Sequence, residues 1–181
     1  MEKLFIHHSA VSRNDVSSQL LPINKYHQQK WNMKSKLGFF VGYNFLIDCN
    51  GIAHNTRQIG EETIAQVGYN FNSISICLAG DFGKELPTDS QILSLRQLIK
   101  DIRASYKDIQ IVFHRDFADT LCPGSLFTKD YLNTVILQTR YSISDADVEK
   151  NQKIKELSSK ISMLQKILFE LSNLVHLKKN R

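Results

Sequence analysis

The chain has 181 residues, 42% of them hydrophobic, which is enough to bury the core of one globular domain with a further segment left over. Its opening stretch, MEKLFIHHSAVSRND, has too short an apolar run for a signal-peptide core or a membrane span. We therefore expect a chain without a signal peptide, located in the cytoplasm and without stable membrane insertion. Cys49, Cys77 and Cys122 are odd in number and widely spaced, which argues against a disulfide framework.

The net charge of +5 lies in the C-terminal segment. Residues 148–181 carry eight Lys or Arg against three Glu, whereas residues 1–147 carry fifteen residues of each sign. A nucleic-acid site would need aromatic residues among the basic ones, and this segment offers only Phe169. The sequence therefore predicts no nucleic-acid partner, and we interpret the basic residues as a solvated helix face.

Strand and helix patterns alternate through the first part of the chain. The predicted strands are, in order, KLFIHHSA, FFVGYNFLID, IAHNT, NSISICLAGDF and IQIVFHRD, the second and third joined as a hairpin by the turn DCNG. The predicted helices are LPINKYHQQKWNM, PTDSQILSLRQLIKDIRASY and GSLFTKDYLNTVILQ. Thr88 and Gln91 have the spacing of a capping box, and Cys77 falls in a buried strand. The predicted fold class is α/β, with a central mixed β-sheet flanked by helices.

The sequence of the last part of the chain predicts a long C-terminal helix, because residues 148–181 contain no Pro or Gly. Its apolar residues alternate steps of three and four, at Ile154, Leu157, Ile161, Leu164, Leu168, Leu171 and Val175. This heptad pattern favours a two-stranded parallel coiled coil, and hence a homo-oligomer. Two alternatives stay open: a helix packed against its own domain, and a helix lying on a membrane surface. We predict a catalytic domain over residues 1–142 and an amphipathic helix over residues 143–181.

Three residues with metal-binding side chains fall near predicted strand ends. His7 lies near the end of the first strand, His114 near the end of IQIVFH, and Cys122 in the loop that follows. Sites in α/β sheets form at strand ends, and two imidazoles with one thiolate suit Zn²⁺. Three protein ligands leave one coordination position open, as in catalytic zinc sites. On spacing alone other interpretations remain: a Cys–His nucleophile pair, histidines with no metal, or competing ligands at His8, His27 and His54.

The order of four motifs adds a family resemblance. These motifs are LFIHHSA, VGYNFLIDCNGIAHNTR, GYNFNSISICLAGDF and FHRDFADTLCPGSLF. From about Lys3 to Leu137 the chain resembles the zinc-dependent N-acetylmuramoyl-L-alanine amidases of the phage lysozyme and peptidoglycan recognition protein family (amidase type 2). The resemblance implies zinc ligands at His7, His114 and Cys122 and an active-site tyrosine at Tyr43. It also implies hydrolysis of the amide between N-acetylmuramic acid and L-alanine in peptidoglycan.

The chain departs from the family pattern at two places. Thr120 stands two residues before the last ligand, where many bacterial and phage members carry lysine and members of the recognition-protein branch carry threonine. We take Thr120 as a second catalytic candidate, which could orient the water or the leaving amine. The stretch EETIAQVGYN has Ala65 or Gln66 where many members place a histidine. Contacts to substrate are therefore expected to differ.

The setting that fits these features is a phage or prophage endolysin, held in the bacterial cytoplasm before release and acting at the cell wall. A bacterial enzyme of wall remodelling or recycling is an alternative. A non-catalytic peptidoglycan-binding module is another, but members that only bind usually lack a zinc ligand. Here all three ligand positions and Tyr43 are present, which favours the amidase.

Overall fold

The computed structural model describes residues 1–137 and a set of helical positions further along the chain. These positions are Lys153, Glu156, Leu157, Lys160, Ile161, Met163, Leu164, Ile167, Leu168 and Leu171. The chain divides into two compact units, Met1–Ser142 and Ile143–Arg181. The predicted long C-terminal helix lies largely outside the described residues, so it stays a prediction, as does the coiled coil.

Five strands form one mixed sheet in the order β3-β2-β4-β1-β5. Their bounds are β1 (Lys3–His8), β2 (Phe45–Ile47), β3 (Ala53–Asn55), β4 (Ser73–Leu78) and β5 (Gln110–Phe113). β4 pairs in parallel with β1 and β2, β1 pairs in parallel with β5, and β2 and β3 form an antiparallel hairpin. The predicted mixed sheet flanked by helices is confirmed.

Within residues 1–137, the sheet is accompanied by the α-helices α1 (Leu20–Trp31), α2 (Asp89–Ser105) and the short α3 (Lys129–Tyr131), which continues as a π-helix over Leu132–Leu137. The capping box of α2 is present, since the Thr88 hydroxyl accepts the Gln91 amide at 3.1 Å and the Gln91 side chain accepts the Thr88 amide at 3.1 Å. None of the helices in the described part of the chain is long and apolar enough to cross a membrane.

The two faces of the sheet carry different helices. Leu4 and Ile6 of β1 share a buried cluster with the apolar stripe of α2, formed by Ile92, Leu95, Ile99 and Ile102. Cys77 of β4 belongs to a second cluster, with Leu20 and Ile23 of α1. Because side chains alternate along a strand, and because His7 is the register partner of Cys77, His7 lies on the α1 face of the sheet.

The segment before β2 differs from its prediction. FFVGYNFLID was expected to be one strand, but only Phe45–Ile47 is extended and paired. Residues 39–44 have no regular structure, and several of their amides are bonded to buried side chains instead of a neighbouring strand. Tyr43 therefore lies in an irregular segment at the N-terminal end of β2.

Candidate metal centre

His7, His114 and Cys122 come together at one edge of the sheet. One ligand atom from each lies within 4.8 Å of the other two. β1 and β5 are parallel neighbours, so His7, near the carboxyl end of β1, and His114, directly after β5 in a short 3-10 helix (His114–Asp116), meet at the same edge. The two imidazole rings have centroids 4.7 Å apart. Among the described residues this is the group of three that could hold a metal ion.

Cys122 reaches the site through a loop held by backbone contacts. The Arg115 amide donates to the Cys122 carbonyl at 2.9 Å, and the His8 amide donates to Cys122 Sγ at 3.4 Å. The Arg115 guanidinium donates to the carbonyls of Gly124 and Phe127 at 2.8 and 2.7 Å. Gly124 has φ +106°, and a Cβ there would lie 2.2 Å from the Phe82 backbone, so only glycine fits. These contacts place the thiol against the end of β1.

The donor set fits zinc by chemistry and by spacing. Tetrahedral bonds of about 2.1 Å to nitrogen and 2.3 Å to sulfur place two such ligands about 3.6 Å apart. His7 Nδ1 lies 3.7 Å from Cys122 Sγ. His7 is 1% exposed and contributes one ring nitrogen to the group. Two nitrogens and one sulfur from three residues leave room for a fourth, exchangeable ligand.

Burial shifts the pKa of each of the three residues toward the neutral form. Burial, followed by repulsion from His114, holds the pKa of His7 well below its usual value, and burial lowers the pKa of His114. Both imidazoles are therefore neutral, the form that binds metal. Burial raises the pKa of the Cys122 thiol to about 11. The thiol is therefore protonated at neutral pH, and it must lose its proton to act either as a nucleophile or as a zinc ligand.

Tyr43 lies against this centre. Its ring centroid is 5.1 Å from that of His7. Burial, followed by the proximity of Cys77 and Cys122, raises the pKa of Tyr43 well above its usual value. The phenol therefore keeps its proton at physiological pH and can donate it in a hydrogen bond.

Comparison with known proteins identifies the family of the chain that carries these residues. Residues 1–125 match the family model for N-acetylmuramoyl-L-alanine amidase. This chain belongs to that family. It is 34% identical over 132 residues to an endolysin of Enterobacteria phage T3 and 32% identical to an endolysin of Escherichia phage T7, covering in each case 68% of this chain and 80% of the phage protein.

Solved structures of similar fold include amidases and recognition proteins. The amidase LysC from Clostridium intestinale superposes with a TM-score of 0.62 at 23% identity, over 73% of this chain and 82% of that one. Bumblebee PGRP-SA superposes with a TM-score of 0.64 at 24% identity, over 75% of this chain and 83% of that one. At this identity the likeness concerns the fold, and it agrees with the mixed sheet and its flanking helices.

Thr120 lies two residues before the candidate ligand Cys122. Its hydroxyl oxygen accepts the Cys122 amide at 3.2 Å, and its side chain is half-buried. This bond uses an acceptor position of the hydroxyl and leaves its hydrogen available to donate. Thr120 therefore shapes the turn that presents Cys122.

The competing histidines lie in other hydrogen-bonded settings. His8 Nδ1 accepts the Phe82 amide at 3.1 Å, and His54 Nε2 lies 3.2 Å from Asp48 Oδ2 in the hairpin. His27 Nδ1 accepts the Gly42 amide at 3.0 Å. None of the three belongs to the metal-binding group of the described residues.

The sequence indicated only weakly that two further residues, Cys77 and Gln66, lie near the site. The sequence predicts Cys77 as a core thiol, and the structure places it beside His7 in the strand register and in the cluster against which Tyr43 packs. Gln66, one of the two residues considered for the position of the missing histidine, donates through Nε2 to the Phe117 carbonyl at 3.3 Å. It links the loop before β4 to the loop between His114 and Cys122.

Proposed function

We propose that this chain is a zinc-dependent amidase that cleaves the bond between N-acetylmuramic acid and L-alanine in peptidoglycan. The observation that carries the proposal is the convergence of His7, His114 and Cys122, with the Tyr43 ring 5.1 Å from that of His7. Membership of the amidase family and the phage endolysin relatives support the same substrate.

The roles of the residues follow from their chemistry. Zinc held by His7, His114 and Cys122 would supply Lewis acidity and lower the pKa of a coordinated water to about 7. The Tyr43 hydroxyl, kept protonated by its buried position, donates a hydrogen bond to the carbonyl oxygen of the scissile amide as negative charge develops there. The Thr120 hydroxyl uses its free hydrogen to orient the water or the leaving amine, in the place where many relatives use a lysine.

A phage or prophage endolysin is the biological role that we propose, with the protein in the bacterial cytoplasm before its release to the wall. The endolysins of phages T3 and T7 support this role. An enzyme of bacterial wall remodelling would use the same chemistry. A module that only binds peptidoglycan would have no use for a complete ligand set beside a protonated phenol, which favours catalysis.

The first prediction concerns the product and the metal. Zinc-loaded protein incubated with purified peptidoglycan should release stem peptides with a free L-alanine N-terminus, identified by mass spectrometry. Treatment with a chelator should remove this activity, because the metal is needed to polarise the carbonyl, and added Zn²⁺ should restore it. Restoration by Zn²⁺ but not Mg²⁺ is expected from a ligand set of nitrogen and sulfur.

Two results would contradict this proposal. Peptide release that persists after complete removal of the metal would exclude zinc chemistry. Intact polymer that sediments with the zinc-loaded protein would identify a binding module instead.

The second prediction concerns the C-terminal segment, for which we propose self-association through the heptad seam. Leu157, Leu164, Leu168 and Leu171 of this seam are 51–60% exposed, and a partner helix would cover such side chains. Analytical ultracentrifugation of the full chain should give a dimer mass. A variant with Leu164→Lys and Leu168→Lys should give a monomer mass, whereas Lys153→Gln, outside the seam, should not change the mass. A monomer mass for the unmodified chain would refute self-association.

A further inference from the structure

The segment that carries Tyr43 is held by side chains of α1. The Phe40 amide donates to Asn24 Oδ1 at 2.6 Å, and the Gly42 amide donates to His27 Nδ1 at 3.0 Å. Asn24 and His27 are three residues apart on α1, so both side chains lie on the same face of the helix. Residues 39–43 lie outside the strand pairing of β2, so these side chains help to set the path of the backbone into Tyr43, together with the Arg57 guanidinium, which donates to the Val41 carbonyl at 3.2 Å.

The His27 side chain contacts both the backbone amide of Gly42 and the ring of Tyr43. It is 6% exposed, and its ring centroid lies 5.7 Å from that of Tyr43 and 4.7 Å from that of Trp31. On the other side of Tyr43, its own carbonyl accepts the Thr56 hydroxyl at 2.8 Å. The backbone is thus fixed on both sides of Tyr43, and the imidazole packs against the phenol ring.

We propose that His27 is a positioning residue, which holds the Tyr43 hydroxyl at the metal centre through the Gly42 amide and through ring packing. The proposal rests on the function proposed above, in which Tyr43 donates to the scissile carbonyl oxygen. A hydrogen bond from Tyr43 has catalytic value only where the oxyanion forms, so a small displacement of the ring lowers the rate without changing the chemistry of any reacting group.

The neutral state of His27 supports this role. Burial, followed by the positive charges of Lys30 and Arg57, lowers the pKa of His27 to about 4. Lys30 lies on the same helix and Arg57 follows β3, while the rings that face His27 are those of Tyr26, Trp31 and Tyr43. No carboxylate is among these groups in the described part of the chain, and at neutral pH Nδ1 is an acceptor with the hydrogen on Nε2.

The test uses the full-length protein with all tyrosines replaced by 3-fluorotyrosine, and its readout is ¹⁹F NMR. The chain has six tyrosines, and the signal missing from Tyr43→Phe identifies residue 43. His27→Phe keeps a ring and removes the acceptor, so the Tyr43 signal should shift or broaden. His27→Asn places an amide oxygen near the position of Nδ1, so it should move the signal back toward its position in the unmodified protein.

Kinetics of peptide release form the second readout. His27→Phe should lower kcat by about 10-fold with KM and zinc content unchanged, as expected when an oxyanion donor is displaced and not removed. His27→Asn should recover part of this loss. In a Tyr43→Phe background His27→Phe should have little further effect, because the residue acts through Tyr43. His54→Phe, the same replacement at another buried histidine, controls for general destabilisation.

The two readouts separate this inference from the proposed function. If the unmodified protein releases no peptide, the amidase proposal fails, while the ¹⁹F signal still decides whether His27 positions Tyr43. An unchanged Tyr43 signal in His27→Phe overturns the inference whatever the activity. A shifted signal with unchanged kcat also overturns it, as does a full additional loss in the Tyr43→Phe background. If His27→Phe does not fold, a kcat of His27→Asn equal to that of His27→Ala overturns it as well.

Discussion

Replacing Cys122 by serine is expected to abolish zinc binding and peptide release together. The thiol is the only sulfur of the ligand group, and a serine hydroxyl is a far weaker zinc ligand that stays protonated at neutral pH. The loss should exceed the roughly 10–100-fold that follows removal of an outer hydrogen-bond partner of a ligand. Zinc content measured by mass spectrometry and peptide release measured on the same sample should fall in parallel.

Cys49→Ser is the matched control for this variant. Cys49 is half-exposed in the hairpin turn, where its sulfur accepts the Gln19 side-chain amide at 3.2 Å. This replacement removes one thiol from the protein without touching the metal group, and zinc content and activity should stay unchanged. Full zinc content in Cys122→Ser would contradict the assignment of this ligand.

The pKa of Cys122 sets the pH dependence of this binding. Burial raises that pKa to about 11, so the thiol must lose a proton when zinc binds at neutral pH. The apparent affinity for zinc therefore rises with pH up to the pKa of the free thiol. The two imidazoles, whose pKa values burial lowers, add to this trend only at acidic pH, where they too must lose protons.

The sequence indicated the convergence of the candidate ligands at strand ends better than it indicated the structure of the segment that carries Tyr43. His7 and His114 follow short apolar runs, and parallel pairing of β1 with β5 brings such ends together. Cys122 was nearby in sequence, but its place depends on the Arg115 and Gly124 contacts, which no periodicity reveals. The role proposed for Cys122, that of a zinc ligand, came from the resemblance to a family and stays a prediction.

The strand predicted over FFVGYNFLID was too long for a physical reason. Phe39 and Val41 pack in the core beside α1, as strand residues would, but the Phe40 and Gly42 amides are satisfied by Asn24 and His27. Apolar patterning reports burial and does not report where backbone hydrogen bonds go. The position of Tyr43 thus depends on polar residues of a distant helix, and the local sequence does not reveal this dependence.

Tyr43→Phe is expected to lower kcat for peptide release by about 10²–10³-fold, or about 3–4 kcal/mol of transition-state stabilisation, with little change in KM or zinc content. The change removes only the hydroxyl, and the ring can keep its contacts with His7 and His27. Steady-state kinetics on a soluble muropeptide, with zinc content measured alongside, would check this. Tyr106→Phe, at the C-terminal end of α2, is the control.

The pH profile gives this prediction a second test. Burial raises the pKa of Tyr43 well above its usual value, so the phenol stays protonated and remains a donor throughout the physiological range. The Tyr43 hydroxyl therefore does not titrate between pH 6 and about 9. Tyr43→Phe should lower kcat at every pH in this range without changing the shape of the pH–rate profile. A change of shape would mean that Tyr43 exchanges a proton during the reaction. A loss smaller than about threefold would mean that the scissile oxygen is stabilised by other groups.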